Sequence, residues 1–244
     1  MHRYIIELAY KGTNYHGWQI QPNATTIQET LEKALSLKLQ EQIKITGAGR
    51  TDTGVHAQFY IAHFDCSKII DDKIIFGLNN ILPKDIVIYK IEKTNNNFNA
   101  RFDAISRTYK YYLTNKKSPF LTDTVSFINY EINIELLNKA CEILYNYTDF
   151  TSFSKLHTDT KTNDCKIINA KWYLKNNIYI FEITADRFLR NMVRSIVGTM
   201  LDLNNNKINL TDFSRIIESK NRKNAGKSAK ANGLFLTNIK YKEN

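Results

Sequence analysis

A glycine-flanked loop that runs directly into a strand constrains this chain more than any other feature. Gly47-Ala48-Gly49-Arg50-Thr51-Asp52-Thr53-Gly54 precedes Val55-His56-Ala57-Gln58-Phe59-Tyr60-Ile61, which alternates with period two. The G-x-G opening resembles a dinucleotide or phosphate loop, but those motifs need a helix N-terminus here to offer backbone N–H groups to phosphate. The third glycine position is Asp52, and Gly54 is followed by Val55-His56 where a phosphate loop would have Lys-Ser or Lys-Thr. The phosphate-loop reading ends there.

What the loop does supply is one acid beside one base. The glycines allow close backbone approach and conformations closed to residues with a Cβ, so Asp52 can project from the turn. Arg50, two residues away, always carries charge; facing the same cavity, it would keep the carboxylate ionised and oriented, as a nucleophile requires. A polar turn between two strands is the other reading, since Asp and Gly are ordinary turn residues.

The chain has 244 residues, 43% of them hydrophobic, enough for a sizeable core. Lys and Arg number 34 against 24 Asp and Glu, a formal charge of +10, which favours a polyanionic partner such as RNA or DNA. Cys66, Cys141 and Cys165 are widely spaced and odd in number, which suggests neither a disulfide framework nor a zinc site and fits a reducing cytoplasm. The histidines, at 2, 16, 56, 63 and 157, lack metal-ligand spacing, so no metal is expected. A strand-like N-terminus without a signal-peptide pattern, and no apolar run near the ~20 residues that span a bilayer, lead us to expect a soluble, cytoplasmic protein with no membrane partner.

Periodicity predicts a strand at 3–10, a turn at Lys11–Asn14, and a capping box at Thr26-x-x-Glu29 ahead of a helix carrying Ile27, Leu31 and Leu35. Strands follow at 43–48 and 55–64, then a helix near 72–81 ending before Pro83, and a strand from Ile86 to Ile91. A second α/β half repeats the plan loosely. It has strands at 106–114, 166–174, 178–185 and 234–241, with helices at 134–146, 188–203 and 212–219. We place the halves at 1–104 and 105–244.

Several segments admit two readings. Arg107, Tyr109, Tyr111 and Leu113 share one strand face, where a Tyr can stack on a base, move a proton or simply fill the core. Arg187, Arg190 and Arg194 border an apolar helical stripe, positioned either to reach inward toward a carboxylate or to snorkel to the surface. Gly12–Trp18 can touch RNA or plug the base of the domain. The tract containing Lys220, Arg222, Lys223, Lys227 and Lys230 is either a phosphate-contacting segment or a solvated basic loop.

Together, Gly12-Thr13-Asn14-Tyr15-His16-Gly17-Trp18-Gln19, Gly49–Ala57, Phe98-Asn99-Ala100-Arg101-Phe102, Arg107-x-Tyr109-x-Tyr111, Asp149-Phe150-Thr151-Ser152-Phe153, Phe188–Arg194 and Gly233-Leu234-x-Leu236 resemble the tRNA pseudouridine synthase A (TruA) family. The likeness runs nearly end to end, with Thr53 where the family usually has Ala and Asn99 where it usually has His. It implies a pseudouridine synthase fold of α+β type, two α/β halves with mostly antiparallel sheets meeting at a basic central cleft. It implies a homodimer without cofactor or metal, acting on uridines 38, 39 and 40 of the tRNA anticodon stem-loop. Carried over, Asp52 is the nucleophile, Tyr109 stacks on the target uracil, Arg194 partners the aspartate, and Arg50 contacts RNA and helps turn the nucleotide out.

Two rival classes account for parts of the sequence. An RNA-binding module explains charge and aromatics but gives no reason for an acid that would repel phosphate. A carboxylate-dependent N-glycosidase explains the acid but would release free base, usually with a second carboxylate assisting.

Overall fold

A computed structural model of the chain describes residues 1–155 and 162–242. In chain order the elements are β1 (His2–Tyr10), α1 (Ile27–Leu39), β2 (Ile45–Gly47), β3 (His56–Cys66), α2 (Lys73–Ile81), β4 (Ile86–Thr94) and β5 (Ala104–Thr114). There follow β6 (Ser126–Phe127), α3 (Ile134–Leu144), β7 (Ile167–Lys175), β8 (Ile178–Ala185), α4 (Met192–Asn204), α5 (Leu210–Glu218) and β9 (Leu234–Tyr241). Two compact units result, one of Met1–Ile105 with the chain from Phe235 onward, the other of Ser106–Leu234.

In the first unit β1 buries Tyr4, Ile6, Leu8 and Tyr10, the alternation that makes it a strand with one core face. It runs antiparallel to β3 and β4, and β2 is antiparallel to β3. The C-terminal strand β9 joins this unit, parallel to β3 through His56–Phe235 and Ala57–Leu236. Helix α1 buries Ile27, Leu31, Leu35 and Leu39 beside β2 and α2. Its Thr26 hydroxyl caps Glu29 N–H at 3.4 Å, but only half of the expected box forms, because Lys33 draws the Glu29 carboxylate to 2.5 Å.

The second unit stacks β5, β8 and β7 antiparallel, with the short β6 parallel to β5. Asn138 of α3 clamps both backbone groups of Trp172, accepting from its N–H at 2.8 Å and donating to its carbonyl at 3.0 Å. The Trp172 indole N–H donates to Met200 Sδ at 3.2 Å, tying β7 to α4. Across the strands Lys110 lies opposite Glu182 and Glu182 opposite Lys171, with ion-pair distances of 3.1 and 3.3 Å. Neighbouring opposite charges of this kind support strand pairing.

Most element boundaries shift by one to three residues from the sequence expectation, and two of the differences change the reading. The strand expected at 43–48 is confined to Ile45–Gly47. The helix expected from residue 188 starts at Met192, because Asn191 sits in the left-handed region at φ 66° and interrupts the helical turn. Arg187 and Arg190 therefore precede α4, and only Arg194 lies on it.

His63 on β3 links this scaffold to pH. It is buried, its Nδ1 accepts from Ala100 N–H at 3.1 Å, and Phe98 lies edge-on to its ring at 6.1 Å. Burial first, then the nearby Arg3 charge, hold its pKa below the ordinary 6.5, while Asp65 and Asp103 pull the other way. The unfolded chain then takes up this proton more readily than the folded one. The stability contributed is complete above the ordinary histidine pKa and is lost as pH falls through the depressed folded value. Melting temperature should fall between roughly pH 7 and pH 5. His63→Asn, which can keep an acceptor for Ala100 without titrating, should flatten that part of the profile; an equally steep profile in the variant would contradict the assignment.

Candidate active site

The Asp52 loop begins where β2 ends and closes at the first residue of β3, and backbone bonds hold it on several sides. Ala48 N–H donates to Ile61 carbonyl at 2.9 Å, and Val55 N–H to Asp52 carbonyl at 3.1 Å. From the Gly12–Trp18 segment, Trp18 N–H donates to Thr51 carbonyl at 3.2 Å and the Tyr15 carbonyl accepts from Gly54 N–H at 3.3 Å. The Tyr10 and Thr51 hydroxyls meet at 2.8 Å, and the Tyr60 hydroxyl bonds to Gly49 carbonyl. Gly17 must be glycine: at φ 86° a side chain is strained, and its Cβ would come within 2.3 Å of the Thr51 carbonyl oxygen.

Gly12–Trp18 thus supports the acid loop, with Thr13, Asn14 and His16 exposed. Trp18 is 3% exposed and stacks on Tyr60 at 4.0 Å between ring centroids. Tyr15 is buried and donates its hydroxyl to Asp85 at 2.6 Å; burial and that carboxylate raise its pKa. His56, at the start of β3, accepts Gly12 N–H on Nδ1 at 3.0 Å and stacks on Phe235 of β9. On this frame Thr51 is buried, Asp52 is half-exposed and Arg50 is exposed. The loop presents acid and base from one short arc while hiding the residue between them.

Tyr109 and Arg194 belong to the second unit. Along β5 the expected face divides: Tyr111 and Leu113 are core, whereas Tyr109 is half-buried, with Phe188 T-shaped against it at 5.2 Å. Tyr111 bonds Ser126 and the Lys230 carbonyl, and burial pushes its pKa up to about 12. Arg107 donates to the Asp186 carbonyl at 2.9 Å. Arg194, on the first turn of α4, donates Nε–H to the Ala229 carbonyl at 2.8 Å, and its own carbonyl accepts Ala229 N–H at 2.9 Å.

The basic tract is ordered and heterogeneous. Lys220 pairs with Asp149 at 3.0 Å, and the half-buried Arg222 turns its guanidinium onto its own loop. Lys223, Lys227 and Lys230 are exposed. The Asp149–Phe153 motif is scaffold: Phe150 and Phe153 are core, and the buried Ser152 donates to Ile216 carbonyl at 2.6 Å and accepts Asn221 N–H at 2.9 Å. Asn99 caps its own turn by accepting from Arg101 and Phe102 N–H at 3.0 and 3.2 Å, and Thr53 is exposed. His157 lies outside the described residues. Among the described residues no cluster of three or more His, Cys, Asp or Glu has the arrangement to hold a metal ion.

Residues 8–103 and 141–242 match the tRNA pseudouridine synthase family. The tRNA pseudouridine synthase A of Azobacteroides pseudotrichonymphae is 53% identical over 242 residues, 99% of this chain and 97% of that protein. That of Parabacteroides distasonis is 49% identical over 245 residues, 100% and 97% of the two chains, and that of Bacteroides fragilis 51% over 242 residues, 98% and 96%. The matched stretches include the Asp52 loop and the Phe188–Arg194 segment, and similarity at this level extends through both compact units. The chain belongs to the tRNA pseudouridine synthase A family.

Proposed function

We propose that this protein isomerises uridine to pseudouridine at positions 38, 39 and 40 of the tRNA anticodon stem-loop, with Asp52 as the nucleophile. The observation that carries the reading is the Asp52 loop itself, a family motif whose backbone is held on several sides while Asp52 stays half-exposed. A homodimer working in the cytoplasm, without cofactor, completes the reading.

The reaction explains why so sparse a site suffices. The N1–C1′ bond breaks, the uracil turns, C5 joins C1′, and the C5 proton leaves as N1 gains one, so no atom is lost or added. A single carboxylate can assist by adding to C6, by attacking C1′ or by abstracting a ribose proton. Each route needs an acid held in place as the RNA arrives, and the loop's backbone bonds serve that need. The target base is stacked in the stem-loop and must be turned out, with an aromatic face and a cationic rim replacing its lost neighbours. We assign Tyr109, steadied by Phe188, to the uracil face. Arg50 takes the RNA beside the acid, and Arg194 partners the Asp52 carboxylate, as the family resemblance of its motif implies. Lys223, Lys227 and Lys230 supply phosphate contacts; Lys220 is paired with Asp149, and Arg222 is committed to its own loop.

Chromatography of digested tRNA after incubation with the protein tests the reading directly. The expected product is a nucleoside of unchanged mass that behaves as a C-glycoside, whereas free uracil would indicate a glycosidase and unaltered tRNA a binding module. Asp52→Asn should abolish this product with tRNA affinity nearly unchanged, because the carboxylate reacts with the nucleotide and does not hold the backbone. Turnover within about tenfold of wild type would remove Asp52 from its role.

Arg194→Ala should lose most activity and Arg194→Lys should recover only part, since a point charge cannot reproduce a planar multi-donor contact. Tyr109→Phe should bind tRNA normally, and its single-turnover rate separates the two uses of the residue: a wild-type rate assigns it to stacking alone, a slow rate to its hydroxyl. Replacing Lys223, Lys227 and Lys230 by Gln should weaken binding of different tRNAs alike and flatten its salt dependence, by roughly one unit of slope for each phosphate left without its cation. An unchanged slope would identify the tract as a solvated surface.

A further inference from the structure

Arg222 is half-buried in a basic tract whose Lys223, Lys227 and Lys230 are exposed, and three of its N–H donors serve its own loop. Nη1 donates to the Ala225 and Gly226 carbonyls at 3.2 and 3.1 Å, and Nη2 to Ser228 Oγ at 2.9 Å. The same Ser228 oxygen accepts Asn191 Nδ2–H at 2.7 Å. A hydroxyl oxygen has two lone pairs, and both are used here. Asn191 is the left-handed residue immediately before α4, so the Ser228 hydroxyl joins the loop to the start of that helix.

The loop then lies flush on α4. Gly226 N–H donates to Thr199 Oγ1 at 2.9 Å, and a Cβ on Gly198 would fall 1.8 Å from the Lys227 carbonyl oxygen, so the two backbones touch with no side chain between them. One residue past Ser228, Ala229 makes its two bonds with Arg194, one to the backbone and one from the side-chain Nε. A guanidinium is planar and rigid. Holding Nε–H on a fixed carbonyl restricts the direction in which the two Nη groups of Arg194 can be offered.

We propose that Arg222 is a positioning residue for the reaction: through Ser228 and the Ala225–Ala229 backbone it places the Ala229 carbonyl that orients the Arg194 guanidinium. The proposal rests on the reading of Arg194 as the partner of the nucleophilic carboxylate. It separates Arg222 from the lysines around it, which serve docking, and gives it an effect on rate at saturating tRNA. Misorientation of a catalytic partner by a fraction of an ångström from a distant anchor is a recognised way to lose turnover without losing affinity.

Arg222→Lys keeps the charge and removes the planar fork. Its single-turnover rate at saturating tRNA is expected to fall about tenfold, with tRNA affinity and its salt slope unchanged. Ser228→Ala, which removes one oxygen and no charge, should give a smaller loss of the same kind. Both rates are taken on protein whose melting temperature shows it folded at the assay temperature. The decisive comparison is the cycle with Arg194→Lys. If Arg222 acts through Arg194, the double variant is no slower than Arg194→Lys alone. Losses that multiply in the double variant overturn the positioning role while leaving the Arg194 reading intact. Wild-type turnover in Arg194→Ala overturns both. A wild-type rate in Arg222→Lys, with weaker binding and a flatter salt slope in Arg222→Gln, makes Arg222 a phosphate contact and overturns the proposal by another route.

Discussion

The immobility of Thr51 is the constraint on which the acid loop depends. Its carbonyl accepts Trp18 N–H, its hydroxyl meets that of Tyr10, and the close approach of Gly17 leaves no room for a side chain there. Arg50 and Asp52 flank this buried residue, so holding its carbonyl and hydroxyl limits where the two charged groups can go. These are bonds between neutral groups in a buried setting. Salt therefore screens them far less than it would a surface ion pair, which suits a site whose substrate brings its own field of phosphates and counterions.

Several of the residues that make the family motifs conspicuous are scaffold, each within its own compact unit. Tyr15, Trp18, Phe150 and Phe153 are core, Ser152 ties a turn to the end of α5, and Ala100 supplies the N–H that His63 accepts. A reaction that rearranges one nucleotide places a demand on geometry, and geometry is held by the surrounding packing. The second unit follows the same economy. Asn138, Trp172 and Met200 bind β7 to the helices, and the start of α4 is set by a left-handed Asn191.

Within Lys220–Lys230 the fold gives neighbouring cations different surroundings. Read as a string, the tract is uniformly basic; folded, Lys220 neutralises Asp149, Arg222 closes its own loop, and the remaining lysines face solvent. Burial of a guanidinium is tolerated when its donors find carbonyls, and a loop wrapped on a helix provides them.

The sequence by itself determined the strands and helices, because periods of 2 and 3.6 depend on neighbours along the chain. It also identified the Asp52 loop, since glycines around a lone acid are a local pattern, and the family, since ordered motifs along the chain carry the resemblance. Tertiary structure alone decided matters that turn on partners far away in sequence. That β9 pairs with β3 and that Gly12–Trp18 supports the acid loop depend on donors and acceptors that only the fold brings together. The late start of α4 belongs here too: an apolar stripe predicts helix through Leu189, but the contacts of Asn191 with Ser195 and Ser228 hold it at positive φ. The separation of Arg222 from its neighbouring lysines has the same origin, because burial and hydrogen bonding are properties of the folded loop and leave no mark on the order of its residues.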